Sequence, residues 1–124
     1  MKKINTDKAP KALGPYSQAI LTNDQTLYLS GQLGIDPISG KLESGIEAQT
    51  KRVLNNINAI LEEANFNKNH VVKTTIFLNS MDDFQIVNSI YEHYFGDHKP
   101  ARSTIQVAKL PKNGLVEIEV IAKN

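Results

Sequence analysis

The 124-residue sequence predicts an α+β fold: one mixed β-sheet of five to six strands with two helices packed on one face. Three observations carry this expectation. Two stretches show the 3.6-residue apolar period of amphipathic helices, the stretches around them are rich in β-branched residues, and the two kinds interleave as β-β-(β)-α-β-α-β-β. Interleaving puts the helices on a shared sheet, with at least one crossover between parallel strands.

The elements follow in chain order. "YSQAILT" and "TLYLSGQLG", separated by the turn-like "NDQ", read as an N-terminal hairpin. "DPISGK" is a loop that has room for a short extra strand. In "SGIEAQTKRVLNNINAILEEA", Ile46, Val53, Ile57, Ile60, Leu61 and Ala64 fall on one helical face, and Ser44 with Glu47 fits the S-x-x-E capping box. "HVVKTTIFL" then reads as a strand. The second helix, "SMDDFQIVNSIYEHYFG", aligns Phe84, Val87, Tyr91 and Phe95, carries acids in its first turn and meets a stop at Gly96. Finally, "STIQVA" and "LVEIEVIA" flank "KLPKNG" as a second hairpin.

Two helices of ~10 Å diameter cover about four strands spaced ~4.8 Å apart, and on one face only. The strands nevertheless carry apolar residues on both sides. Strict alternation sets Val72, Ile76 and Leu78 against Val71 and Phe77, and Val116, Ile118 and Val120 against Leu115 and Ile121. The uncovered face calls for a partner. Another copy of the same sheet is the simplest one.

Residues 1–124 suit a single domain with a sizeable core. Without cysteine there is no disulfide framework, thiol nucleophile or thiolate metal site. No apolar run is long enough for a membrane span, so a soluble, cytoplasmic protein is expected. The formal net charge is +1, with lysines and acids interspersed, which argues against a nucleic-acid backbone as partner. The adjacent pair Lys51 and Arg52 reads as a solvated helix face. His70, His93 and His98 do not share one, so no metal site is expected. P-loop, dinucleotide and serine-elbow patterns are absent, and no cofactor is expected.

A dispersed polar set remains: "GPYSQA" with Tyr16, "SGQLG" with Ser30 and Gly31, Asn88, Arg102 with Thr104, and Glu117 with Glu119. Each has an ordinary reading. Tyr16 fits a half-buried ring, Gly31 a strand bulge, Asn88 a polar position between apolar ones, and the glutamates an exposed acidic pair. Arg102, on the same strand face as Thr104 and Gln106, is either an edge-strand charge or a fork for a carboxylate.

Taken together, "GPYSQA", "LSGQLG", the N-x-x-Y of Asn88 to Tyr91, "PARSTIQVAKLP" and "VEIEVIA" resemble, in the same order, the RidA (YjgF) family of imine and enamine deaminases. The resemblance spans essentially the whole chain. It implies a chorismate-mutase-like fold, a homotrimer whose sheets form a central barrel, and active sites in clefts between subunits. Arg102 aligns with the arginine that grips the substrate carboxylate, and Glu117 with the glutamate associated with the hydrolytic water. Tyr16, Ser30, Gly31, Asn88 and Thr104 align with substrate-binding positions. Thr104 stands where many members carry cysteine.

The implied reaction is hydrolysis of 2-imino acids, the tautomers of enamine acids such as 2-aminoacrylate that pyridoxal-phosphate dehydratases release, to 2-keto acids and ammonia. A planar carboxylate suits a bidentate arginine, and an electrophilic imine carbon needs only a placed water and a proton carrier. Two rivals stand beside it: an endoribonuclease or translation inhibitor, and a binding module that holds small carboxylates without turnover.

Overall fold

The computed structural model describes residues 1–124. Six strands form one sheet: β1 (Lys2–Ile4), β2 (Ala19–Leu21), β3 (Thr26–Leu33), β4 (Val71–Leu78), β5 (Ala101–Gln106) and β6 (Val116–Lys123). Their spatial order is β1-β2-β3-β6-β4-β5, with β4 and β5 parallel and every other pair antiparallel. Helices α1 (Ile46–Glu63) and α2 (Phe84–Phe95) complete the fold.

The helical expectations hold in the interiors and change at both N-terminal ends: Asp82 and Asp83, expected in the first turn of the second helix, lie in a short 3-10 turn (Met81–Asp83) ahead of α2, whose own first turn carries no acid. Val53, Ile57, Ile60 and Leu61 of α1 and Val87, Tyr91 and Phe95 of α2 are buried against Leu27, Leu29, Val71, Ile76, Leu78, Val116, Ile118 and Val120. Both helices therefore lie on one face of the sheet. Gly96, at φ 62°, ends α2 in a conformation that glycine enters freely. The capping box at Ser44 does not form. Gly45 is the N-cap with no side-chain hydrogen bond, and Ser44 sits one residue too early to reach the first turn.

The N-terminal hairpin forms as β2 and β3. The sixth strand is β1, at the extreme N-terminus, where buried Ile4 pins a three-residue strand against β2. In the loop before α1 there is a single bridge, Ile35 to Leu42.

The second hairpin is overturned. β5 and β6 are not neighbours, because β4 lies between them. The sheet gives its centre to the strand with the most continuous apolar side, and Val116, Ile118, Val120 and Ala122 of β6 are all essentially inaccessible. Polar β5 goes to the edge, delivered parallel to β4 by the α2 crossover.

Strict alternation also fails at the start of β4. A bulge between Val71 and Lys73 puts Val71 in the core with Ile76 and Leu78 and leaves Val72 exposed. An extra residue in a strand reverses the facing of everything before it. The uncovered face is consequently mixed rather than apolar: Tyr28, Phe77, Ile105 and Ile121 stand among Lys73, Thr75, Ser103, Glu117 and Glu119.

Candidate active site

On β5, Arg102 and Thr104 are in register with Thr74 and Ile76 of β4, both core residues, so they face α2. Arg102 Nη1 donates to Asn88 Oδ1 at 2.7 Å, and its guanidinium carbon lies 4.9 Å from the Tyr91 ring centre and 5.7 Å from that of Phe84. The Tyr91 hydroxyl is bonded in turn to Thr74 Oγ1 at 2.8 Å, inside the core. Burial pushes the Tyr91 phenol up, against the opposing pull of the Thr74 bond and the Arg102 charge. A fixed aromatic plate and one amide thus aim the guanidinium. The chain's four ion pairs do not involve it, although Arg52 pairs with both Glu43 and Asp36. A cleft of about 370 Å³ beside it is bounded by Asn88, Tyr91, His98, Lys99 and Pro100. The Thr104 hydroxyl is buried and has no hydrogen-bond partner.

A second group gathers on the other side of the sheet. β3 carries a bulge between Leu29 and Gln32, so Ser30 and Gly31 together oppose Glu119 of β6. Glu117, next to Phe77 on the uncovered face, lays its carboxyl against Gly31: a Cβ there would come within 2.5 Å of Oε2. The carboxyl occupies the place of a side chain, so any residue other than glycine would displace it. Burial, and then the charge of Glu119, hold the Glu117 carboxyl above the usual carboxylate range. Tyr16, Gly31 and Glu117 line one cleft of about 240 Å³, together with Lys11, Leu33 and Pro111.

The loop bearing Tyr16 is tied down from below. Ser30 Oγ donates to Ser17 O at 2.6 Å, and Ser30 N to Gln18 O at 2.9 Å. Gln18 is buried; its amide accepts from Thr6 N at 2.7 Å and donates to Pro10 O at 2.8 Å. Tyr16 Oη accepts from Leu13 N at 3.1 Å. The Ser30 hydroxyl is thereby committed to the scaffold.

The structure therefore gathers the sequence-predicted residues into two sets, Tyr16 with Gly31 and Glu117, and Asn88 with Arg102 and Thr104. It does not join the sets within one chain. Sequence reasoning missed the supports: Gln18, the Tyr91–Thr74 bond, and buried Gln49 and Asn56 of α1. Gln49 Oε1 accepts from Leu115 N at 2.9 Å, just before β6, and Asn56 Nδ2 donates to Leu33 O and Ile35 O at 3.2 and 3.0 Å. A signal existed for these last two. They stand on the apolar stripe of α1, where a polar side chain must find a buried partner.

The family model described as Endoribonuclease L-PSP matches residues 6–124. The chain belongs to the RidA (YjgF) family. This RidA chain is 52% identical over 122 residues to the bovine (Bos taurus) protein named 2-iminobutanoate/2-iminopropanoate deaminase, covering 98% of this chain and 88% of that protein. Its fold matches the crystal structure of RidA from the Antarctic bacterium Psychrobacter with a TM-score of 0.97, at 44% identity and full coverage of both chains. The E. coli TdcF structure with bound serine matches with a TM-score of 0.96 at 35% identity, covering 100% of this RidA chain and 99% of that one.

Proposed function

We propose that this RidA chain hydrolyses 2-imino acids, such as 2-iminopropanoate and 2-iminobutanoate, to 2-keto acids and ammonia. The observation that carries the reading is Arg102: a half-buried guanidinium, oriented by Asn88 and Tyr91, with no protein carboxylate to pair with. A site that keeps an arginine fork open is suited to a planar carboxylate brought by a ligand. The name of the bovine relative supports the reaction class, and the serine in TdcF supports a small amino-acid-like ligand.

Arg102 grips the substrate carboxylate. The Glu117 carboxylate takes a proton from water as the oxygen bonds to the carbon of the protonated imine, returns it to nitrogen, and then takes the remaining hydroxyl proton as the carbon–nitrogen bond breaks and ammonia leaves the keto acid. A carboxyl with raised proton affinity suits both halves of that cycle. Asn88 holds the arginine, Tyr16 and Gly31 shape the wall beside Glu117, Ser30 holds that wall through its bond to Ser17, and Thr104 lies beside the bound carboxylate.

One chain supplies these residues on opposite sides of its sheet, so the complete site is assembled between copies. We read the assembly as a homotrimer in which the uncovered faces form a central barrel, each Glu117 cleft meeting the β5 edge of its neighbour. Tyr28, Val72 and Ile105, each nearly half exposed, support burial of that face. Substrate arises where pyridoxal-phosphate dehydratases release enamine acids, which places the protein with them in the cytoplasm, removing reactive intermediates. No helix is long and apolar enough to cross a membrane.

The test generates imino acid with a purified dehydratase, adds semicarbazide as a competing trap and follows keto acid formation, with light scattering behind a sizing column for assembly. Wild type is expected to outrun the trap as a trimer. Arg102→Ala loses charge-assisted bonds of about 3 kcal/mol, roughly a hundredfold in kcat/KM, and lysine restores it only in part. A folded Arg102→Ala as fast as wild type sinks the reading. The family description keeps an endoribonuclease in view. RNA cleavage abolished by Glu117→Gln, without imino acid hydrolysis, would install that activity instead, and binding of imino acids without turnover would leave a carboxylate-binding module.

A further inference from the structure

We propose that Gln49 is a positioning residue for Glu117: from the helix side of the sheet, its amide holds the end of β3 against the start of β6 and so keeps the Glu117 carboxyl seated over Gly31. The inference rests on the deaminase reading for its meaning in catalysis. Its geometry rests on bonds within one chain.

Gln49 lies at the start of α1 with 3% of its surface exposed. A primary amide buried this deeply needs partners for both its ends. It finds them away from its own helix: Nε2 donates to Glu43 O at 3.0 Å, and Oε1 accepts from Leu115 N at 2.9 Å. Glu43 N in turn donates to Gly34 O at 2.9 Å, and Leu115 O accepts from Asn79 N at 3.0 Å. One side chain thereby ties the residue that follows β3 to the residue that precedes β6. Gly34 permits the close seating, since a Cβ there would lie 2.6 Å from Gln49 Cα, a backbone atom that has no rotamer to swing aside.

This junction is where the sheet is loosely paired. β4 accompanies β6 along its length, but beyond the Ser30–Gly31 bulge two residue pairs alone join β3 to β6, Gln32 with Ile118 and Leu33 with Glu117. A slip of one residue there would carry Gly31 away from Glu117 and bring a Cβ against the carboxyl. Two helical turns further along α1, Asn56 fastens the same end of β3 through Leu33 O and Ile35 O. Both walls of the Glu117 cleft are therefore held by one helix. Gln49 and Asn56 are buried by their own chain, so an assembly that covers the other face of the sheet leaves these bonds in place.

The experiment compares Gln49→Met, which keeps the side chain's length and removes both bonds, with Ile60→Val, which trims a buried methyl group about 16 Å further along α1. Imino acid kinetics are measured well below every melting temperature, and the amide resonances of Gly31 and Glu117 are followed by NMR in the assembled protein. Gln49→Met is expected to lower kcat at least about tenfold and leave KM within about twofold, because Arg102 still grips the carboxylate while the base is misplaced. The Gly31 and Glu117 resonances should move with kcat. Ile60→Val should leave kcat and both resonances as in wild type, whatever its melting temperature. Gln49→Asn, too short to span Glu43 O and Leu115 N together, must show the same split, which decides the matter if the methionine variant does not assemble. Wild-type kcat in a folded Gln49 variant overturns the proposal, as does an equal loss of kcat in Ile60→Val. Resonances that move in a protein without imino acid turnover would uphold the positioning and defeat the deaminase reading instead.

Discussion

Arg102 and Glu117 leave the same sheet on opposite faces, Arg102 in register with core residue Thr74 beneath α2 and Glu117 beside Phe77 on the side without helices. A site that uses both must draw them from different copies. Mixed assemblies of Arg102→Ala and Glu117→Gln subunits, each inactive alone, are therefore expected to regain a substantial fraction of wild-type activity, because some clefts receive an intact arginine from one variant and an intact glutamate from the other. Unfolding, mixing, refolding and assaying will read this. Activity no greater than that of the separate variants would mean that the pair belongs to no shared site.

Gly31 separates folding from function. A Cβ at this position would meet the end of the Glu117 side chain rather than backbone. Gly31→Ala should fold and assemble with a melting temperature close to wild type while kcat/KM falls at least about tenfold, since a displaced carboxylate no longer meets the water. Unchanged turnover would show that the carboxyl need not lie over the bulge.

The Thr104 hydroxyl is buried without a partner, a cost of about 1–3 kcal/mol. Thr104→Val keeps the shape and removes the polar atom. The expected result is a ligand-free protein that melts a few degrees higher, with Thr104→Cys changing turnover only modestly. A lower melting temperature for the valine variant would reveal a bond made to that hydroxyl across a subunit boundary.

The raised Glu117 carboxyl makes stability depend on pH with a definite sign. The folded protein holds this proton more tightly than the unfolded chain, so above the unfolded value near 4.5 the native state loses stability as pH rises through the folded value. Glu117→Gln should be more stable than wild type at neutral pH, and the gap should close below about pH 4. Denaturant melts at both pH values decide it. A variant less stable at neutral pH would mean that the carboxylate is a net stabiliser of the fold.

Local pattern determined much of this protein. The apolar stripes of α1 and α2, the turn at residues 23–25 and the stop at Gly96 are written in neighbouring residues, and the structure keeps them. The alternation that puts Arg102 and Thr104 on one face of β5 and the two glutamates together on β6 is equally local. Strand order was not legible, because pairing is settled by competition among all strands for burial: β6 took the centre and polar β5 the edge, which undid the expected hairpin. The bulge at Leu29–Gln32 was announced by Gly31, but the one at Val71–Lys73 was invisible, since one extra residue costs little locally and its benefit appears only against the partner strand. The sequence singled out the candidate residues as a set, from their resemblance to a family. Only the tertiary structure divided them between two faces of one sheet, because a side chain's face depends on register, and register on the neighbouring strand.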